Sequence, residues 1–272
     1  MLSASEFVES YGAIGAGKAN APAKKLFLLG ILAGFLIGMG GVVTNTAAHA
    51  ITNVSVAKIA CGLLFPFGLI LVILTGAELF TGNNLIIISV LSGQATVRGM
   101  LRNWGIVYLG NFAGSVALAA ACAFSGQMNL SDGELGVYAI KVAAAKCVLT
   151  FGHALTLGIL CNILVCIAVM CALCAKDVTG RAIGAFVPIS FFVICGFEHS
   201  VANMYYIPAG LFALSVPKYA QAAAAARFST DALTWGNFLL RNLLSVTIGN
   251  VIGGCGFAAL IWAAHCKRAV TK

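Results

Sequence analysis

The chain has 272 residues, 61% hydrophobic and only 9% charged, with a formal net charge of +8 and a mean hydropathy of +1.00. Ordinary soluble domains carry about 25% charged residues, so this chain cannot wet the surface of a soluble globule, and a cytosolic enzyme, a disordered chain and a nucleic-acid module are excluded as first readings. About 20 residues span a hydrocarbon core, which leaves room for six or seven crossings with short loops and none for a large soluble domain.

Residues 1–25 are polar to amphipathic and lack the make-up of a secretory signal. They predict an amphipathic segment lying on one membrane face. A six-span domain follows over 26–264, with a short tail at 265–272. Its apolar segments run at about 26–50, 57–77, 104–124, 142–175, 182–195 and 236–264. The second meets Glu78, Thr81, Gly82, Asn83 and Asn84 and resumes over 85–91. The fifth meets Gly196, Glu198, His199, Ser200 and Asn203 and resumes over 204–214. The stretch 215–234, with its run Ala222–Ala226, has no reading from sequence and is taken as a loop.

Most of the ten cysteines sit inside apolar runs and read as small packing residues. Cys171 and Cys174 have redox spacing but no βαβ context. Lys and Arg set the orientation. Lys18, Lys24, Lys25, Arg98, Arg102, Lys176, Arg181, Lys267, Arg268 and Lys272 fall on one side, and Lys58, Lys141, Lys218 and Arg227 on the other. The richer side is expected to be cytoplasmic, with both termini inside.

An internal repeat organises the chain. Gly76, Glu78 and Asn83 coincide in spacing with Gly196, Glu198 and Asn203. Gly30-Ile31-Leu32 matches Gly158-Ile159-Leu160, and Gly110-Asn111 matches Gly249-Asn250. Three crossings plus three crossings make an inverted repeat, which commonly places a substrate path at the repeat interface. A glutamate on an unbroken lipid-facing helix costs about 2.5 kcal/mol or more. The spans are therefore expected to break at these points, where non-helical backbone is buried in protein or lines a cavity. Half-helix ends in such breaks favour an anion. Glu78 and Glu198, with Asn83 and Asn203, are read as structural, since buried carboxylates on an anion path would repel the cargo.

At this point the segments 77–82 (Ala-Glu-Leu-Phe-Thr-Gly) and 196–204 (Gly-Phe-Glu-His-Ser-Val-Ala-Asn-Met) resemble the two signatures of the formate/nitrite transporter family. Gly158-Ile159-Leu160-Cys161-Asn162 with Leu164-Val165-Cys166, and Asn242-Leu243-Leu244 with Val246-Thr247 and Gly249-Asn250, look like two further family blocks. The resemblance implies an all-α membrane protein of six transmembrane helices, aquaporin-like, with spans two and five broken. It further implies a homopentamer with one pore per protomer, passing small monovalent anions such as formate, nitrite or hydrosulfide. His199 matches the family's central histidine and Thr81 the threonine of the first broken loop. Leu79, Phe80 and Phe192 match the hydrophobic constriction, joined by Phe65. Lys146 matches a vestibule lysine, and Asn162 and Asn250 match pore asparagines. The segment 205–208 (Tyr-Tyr-Ile-Pro) looks more like formate-channel members than nitrite ones.

Histidine titrates near neutrality, and a lone one in an apolar segment is usually a satisfied core residue. His199 differs because it lies inside a break beside Ser200 and Glu198. Stripping water from an anion in a greasy ring is costly unless the charge is paired or neutralised. Two routes follow: broken-helix amides with Thr81, Asn162 and Asn250 replace hydration, or the anion takes a proton near His199 and crosses as the neutral acid. A metal site at His199 and Cys195 is rejected, because tetrahedral sites need more ligands. No cofactor, nucleotide motif or set of paired catalytic carboxylates is expected, nor a nucleic-acid partner; the partners are the lipid bilayer and a small anion. The competing readings are a nitrite or hydrosulfide channel and, from other classes, an aquaporin-like neutral-solute pore or a membrane-embedded enzyme.

Overall fold

The structure is a computed structural model that describes residues 1–226 and 228–266. Arg227, Lys267, Arg268 and Lys272, which entered the charge count, lie outside the described residues, as does the tail beyond Cys266. Among the described residues all regular structure is helical, and six helices are long and apolar enough to cross a membrane.

Helix α1 (Ala4–Asn20) opens on Ser3, whose side chain accepts from the Glu6 amide in a reciprocal capping box. Its buried face is Phe7, Val8, Tyr11, Gly12, Gly15 and Ala19. Span one is α2 (Ala23–Ala48). Span two is α3 (Val54–Leu64) and α4 (Pro66–Thr75), a break at 76–81, a 3-10 turn (Gly82–Ile86) and α5 (Ile87–Leu91). Span three is α6 (Val97–Phe124). After α7 (Glu134–Cys147), span four is α8 (Phe151–Cys174). Span five is α9 (Val178–Cys195), a break at 196–199 and α10 (Ser200–Leu214). Then come α11 (Pro217–Ala225), a π-helical stretch (Asn237–Leu243) and α12 (Leu244–His265), the last two forming span six.

Two expectations are corrected here. The apolar run 142–175 is two helices, not one. Helix α7 ends at Cys147, and Thr150 starts α8 by accepting from the His153 amide at 3.3 Å. The expected loop 215–234 contains α11, which Pro217 begins at a position where its missing N–H costs nothing and which good helix-forming alanines continue.

The inverted repeat is therefore larger than three spans plus three. It relates α1–α6 to α7–α12, with a short non-spanning helix leading each unit. The long spans of each unit meet through matched glycines. A Cβ on Gly30 would lie 3.2 Å from the Gly110 Cα, and one on Gly158 would lie 3.3 Å from the Gly249 Cα. At both sites a facing carbonyl oxygen stands at 3.0 Å or less from that Cβ, from Val107 and Val246 respectively. Gly30→Leu or Gly158→Leu is expected to cost about 1–3 kcal/mol or more through overpacking, read as a lower thermal midpoint in detergent. Gly256→Ala is the control, because open space surrounds it.

Candidate functional site

Both breaks are built alike. Gly76 and Gly196 adopt left-handed φ values of 67° and 73°, which glycine takes without penalty. The following amides reach back five residues, Ala77 to the Val72 carbonyl and Phe197 to the Phe192 carbonyl, each at 3.0 Å, closing the helix in a Schellman turn. The Glu78 amide then donates to the Leu29 carbonyl at 3.2 Å and the Glu198 amide to the Leu157 carbonyl at 3.3 Å. An asparagine braces each loop. Asn111 Nδ2 donates to the carbonyls of Gly30 and Glu78, while its Oδ1 accepts from the Phe80 amide at 2.9 Å. Asn250 Nδ2 donates to the carbonyls of Gly158 and Glu198, while its Oδ1 accepts from the Ser200 amide at 2.9 Å. Thus Asn250 has every polar side-chain atom engaged in holding the second break.

Each glutamate anchors a buried cluster. Lys18 and Lys146 donate to Glu78 and Glu198 at 2.8 Å. Asn83 and Asn203 donate to the second carboxylate oxygen at 2.6 Å. Those asparagines also donate to Asn103 and Asn242, which themselves bond the Lys18 and Lys146 carbonyls at 3.0 Å. Lys146 sits at the end of α7, paired with Glu198, and stands 5.4 Å from the Tyr206 ring centroid. The sequence reading overlooked Lys18, Asn103 and this role of Asn242. The signal was available in the register between α1 and α7, since Lys18 and Gly30 are spaced as Lys146 and Gly158 are.

The two breaks touch at one hydrogen bond. Thr81 Oγ1 lies 2.8 Å from His199 Nε2, and both residues are buried. His199 caps α10 by accepting the Ala202 amide on Nδ1 at 3.0 Å. The accepting nitrogen carries no hydrogen, so the neutral ring holds its proton on Nε2 and donates it to Thr81. The Thr81 hydroxyl hydrogen is then free to turn elsewhere. Asn162 Nδ2 donates to the carbonyls of Thr81 and Asn250, and its buried Oδ1 has no partner among the described residues. Ser200 Oγ is likewise buried without a partner. These two orphaned atoms mark the polar centre of the molecule.

Apolar rings flank this centre. Phe65 and Phe192 meet edge to face at 5.7 Å, and Phe192 stacks 5.9 Å from the His199 ring. On the side of α1, Leu79 lines a cavity of about 260 Å³ together with Leu69, which the sequence reading did not single out. Phe80 is the position equivalent to Ser200. Its ring packs on Trp104 and Tyr108, at 6.1 and 4.9 Å, rather than pairing with Phe65 or Phe192.

The sequence profile of the family described as "Formate/nitrite transporter" matches residues 5–264. The chain is 39% identical over 241 residues to a "Formate channel FocA" of Haemophilus influenzae, covering 87% of this chain and 85% of that one. It is 36% identical over 285 residues to a "Probable formate transporter" of Methanothermobacter thermautotrophicus, covering 98% of each. Among solved structures it superposes on one described as "Pentameric formate channel with formate bound", with a TM-score of 0.80, 35% identity and coverage of 90% of this chain and 98% of that one. A second, described as "FNT family ion channel", gives a TM-score of 0.81 at 28% identity, covering 95% and 98%.

Proposed function

Because the chain belongs to the formate/nitrite transporter family, we propose that it is a membrane channel for formate and similarly small weak-acid anions, with the path running between the two broken spans. The observation that carries this reading is the 2.8 Å bond between Thr81 and His199, which joins the two breaks where the apolar rings leave a polar gap. The protein assembles as a homopentamer in this reading, supported by the 35% identical structure described as pentameric. It sits in the cytoplasmic membrane with its termini inside, supported by the Lys and Arg asymmetry of the loops. Its work is transport, not catalysis.

The path works in stages. An anion leaves bulk water at one vestibule and meets an apolar constriction, Leu79 on one side or Phe65 and Phe192 on the other. Crossing dry as a charge is costly, so the cargo crosses as its conjugate acid. His199 supports this as a hydrogen-bond donor in series: Nε2–H to Thr81 Oγ1, and the Thr81 hydroxyl to the cargo. It holds no second proton in this arrangement, since Nδ1–H would face the Ala202 N–H. The acid proton is therefore drawn from water in the vestibule. Asn162 Oδ1 and Ser200 Oγ supply the acceptor that the O–H of a neutral acid needs. Asn250, Glu78, Glu198, Asn83 and Asn203 hold the breaks rigid.

Flux into proteoliposomes, with formate, nitrite and hydrosulfide compared against chloride, tests the proposal. Formate flux at fixed total concentration should rise toward about tenfold for each unit of pH lowered well above the acid's pKa, as the neutral fraction does. Chloride, whose conjugate acid is strong, should stay near the leak of empty vesicles. Rapid chloride flux or pH-independent formate flux sinks the weak-acid scheme.

A further inference from the structure

The cavity beside α1 contains a polar group that the pathway above does not use. Its polar lining side chains are Tyr11, Lys18, Glu78 and Asn83; the rest of the lining is apolar or glycine. Three of the four satisfy one another. Lys18 Nζ donates to Glu78 Oε1 at 2.8 Å and to Asn83 Oδ1 at 3.1 Å, and Asn83 Nδ2 donates to Glu78 Oε2 at 2.6 Å. An ammonium has three N–H donors, so Lys18 keeps one, and its side chain is 25% exposed at the cavity wall.

Tyr11 is the fourth. It shares the face of α1 with Ile14 and Lys18, at helical spacings of three and seven. Its side chain is buried and lines the cavity, yet its phenol makes no hydrogen bond among the described residues. The residue is held firmly. Ser89 Oγ donates to its carbonyl at 3.1 Å, and its ring lies 5.3 Å from that of Phe7. Burial, with lesser effects of Cys166 and Glu78, keeps the phenol protonated well above its usual range, so it is a donor. A phenol without a protein acceptor on the wall of a cavity is open to a ligand, and this one lines the space that the cargo enters in the reading above.

We propose that Tyr11 O–H and the spare N–H of Lys18 form a carboxylate-holding station in this cavity, where an anion rests before it reaches Leu69 and Leu79. The station rests on the anion-channel reading above. Glu78 does not expel the anion, because Lys18 offsets its charge and its oxygens are occupied by Lys18 and Asn83. The hold is weak, as a conduit requires, favouring entry without trapping. It is also one-sided: the register that pairs Lys18 with Lys146 places Ala139, which has no hydroxyl, at the counterpart of Tyr11.

The test is Tyr11→Phe in proteoliposomes, with formate flux measured separately from each face. The half-saturating formate concentration should rise about tenfold from the α1 face, the low end for loss of one hydrogen bond to a charged group, and change less than twofold from the other. An unchanged value, or an equal change on both faces, overturns the station. Placing 3-fluorotyrosine at position 11 sharpens the donor without disturbing packing and should lower the α1-face value; a rise overturns the station independently of how Tyr11→Phe folds. Wild-type vesicles that pass no more formate than empty ones would instead sink the channel reading itself.

Discussion

Glu198→Leu should remove most folded protein, read as the loss of material eluting at the wild-type oligomer size in detergent. The carboxylate holds three partners at once: Lys146 at 2.8 Å, Asn203 at 2.6 Å and Asn242 at 3.5 Å. Without it a cation and two amides are left in a buried pocket. Removing one partner of a buried pair costs about 3–5 kcal/mol, a large part of the 5–15 kcal/mol by which domains are stable. Glu78→Leu should lower the yield in the same direction, since it strands Lys18 and Asn83 in the same way. The double variant Glu198→Leu with Lys146→Met should recover part of the yield, because the stranded charge has gone while Asn203 and Asn242 still lack their acceptor. No recovery would show that the stranded charge is not the main source of the cost, and full recovery would show that the two amides add nothing to it.

Thr81→Val should lower formate flux about 3- to 10-fold while leaving the oligomer intact. The substitution keeps the shape and installs the residue that the second break already carries at Val201. It deletes the side-chain hydrogen bond that joins the breaks and leaves His199 Nε2–H without an acceptor. The cargo, neutral at this point of the path, loses a hydrogen bond worth about 0.5–1.5 kcal/mol, and each 1.4 kcal/mol is tenfold in rate. Stability, read as the melting midpoint in detergent, should fall by no more than about 1–3 kcal/mol, the cost of one buried donor left unmatched, since His199 keeps its capping bond to Ala202. Flux within twofold of wild type would remove Thr81 from the path.

Much of this architecture was legible in the order of the residues. Six spans followed from apolar length, and the breaks from placing Glu, Asn and two glycines where hydrocarbon would otherwise be. The coincidence of Gly76, Glu78 and Asn83 with Gly196, Glu198 and Asn203 gave the inversion. What escaped was set by contacts between distant segments. The pairing of Lys146 with Glu198 escaped because the apolar run 142–175 hides the end of α7; only Thr150, a helix-starting residue amid aliphatics, marked the boundary. The role of α1 was hidden because it shares little with α7 besides a lysine placed twelve residues before the first span's glycine. Asn250 was expected to face the cargo, but all of its side-chain polar atoms are bound to backbone. Periodicity does not distinguish a pore amide from a brace.

Tyr108 and Thr247 hold corresponding places in the two halves, and their hydroxyls bond each other at 2.8 Å. A residue that touches its own counterpart stands beside the axis of the pseudo-symmetry. Were the two halves identical, that position would meet itself, as in a dimer of two chains inserted in opposite directions. Identical halves would leave the molecule indifferent to which way round it entered the bilayer; the differences between Tyr108 and Thr247 and between Thr81 and Val201, with the charge bias of the loops, make its two faces unlike.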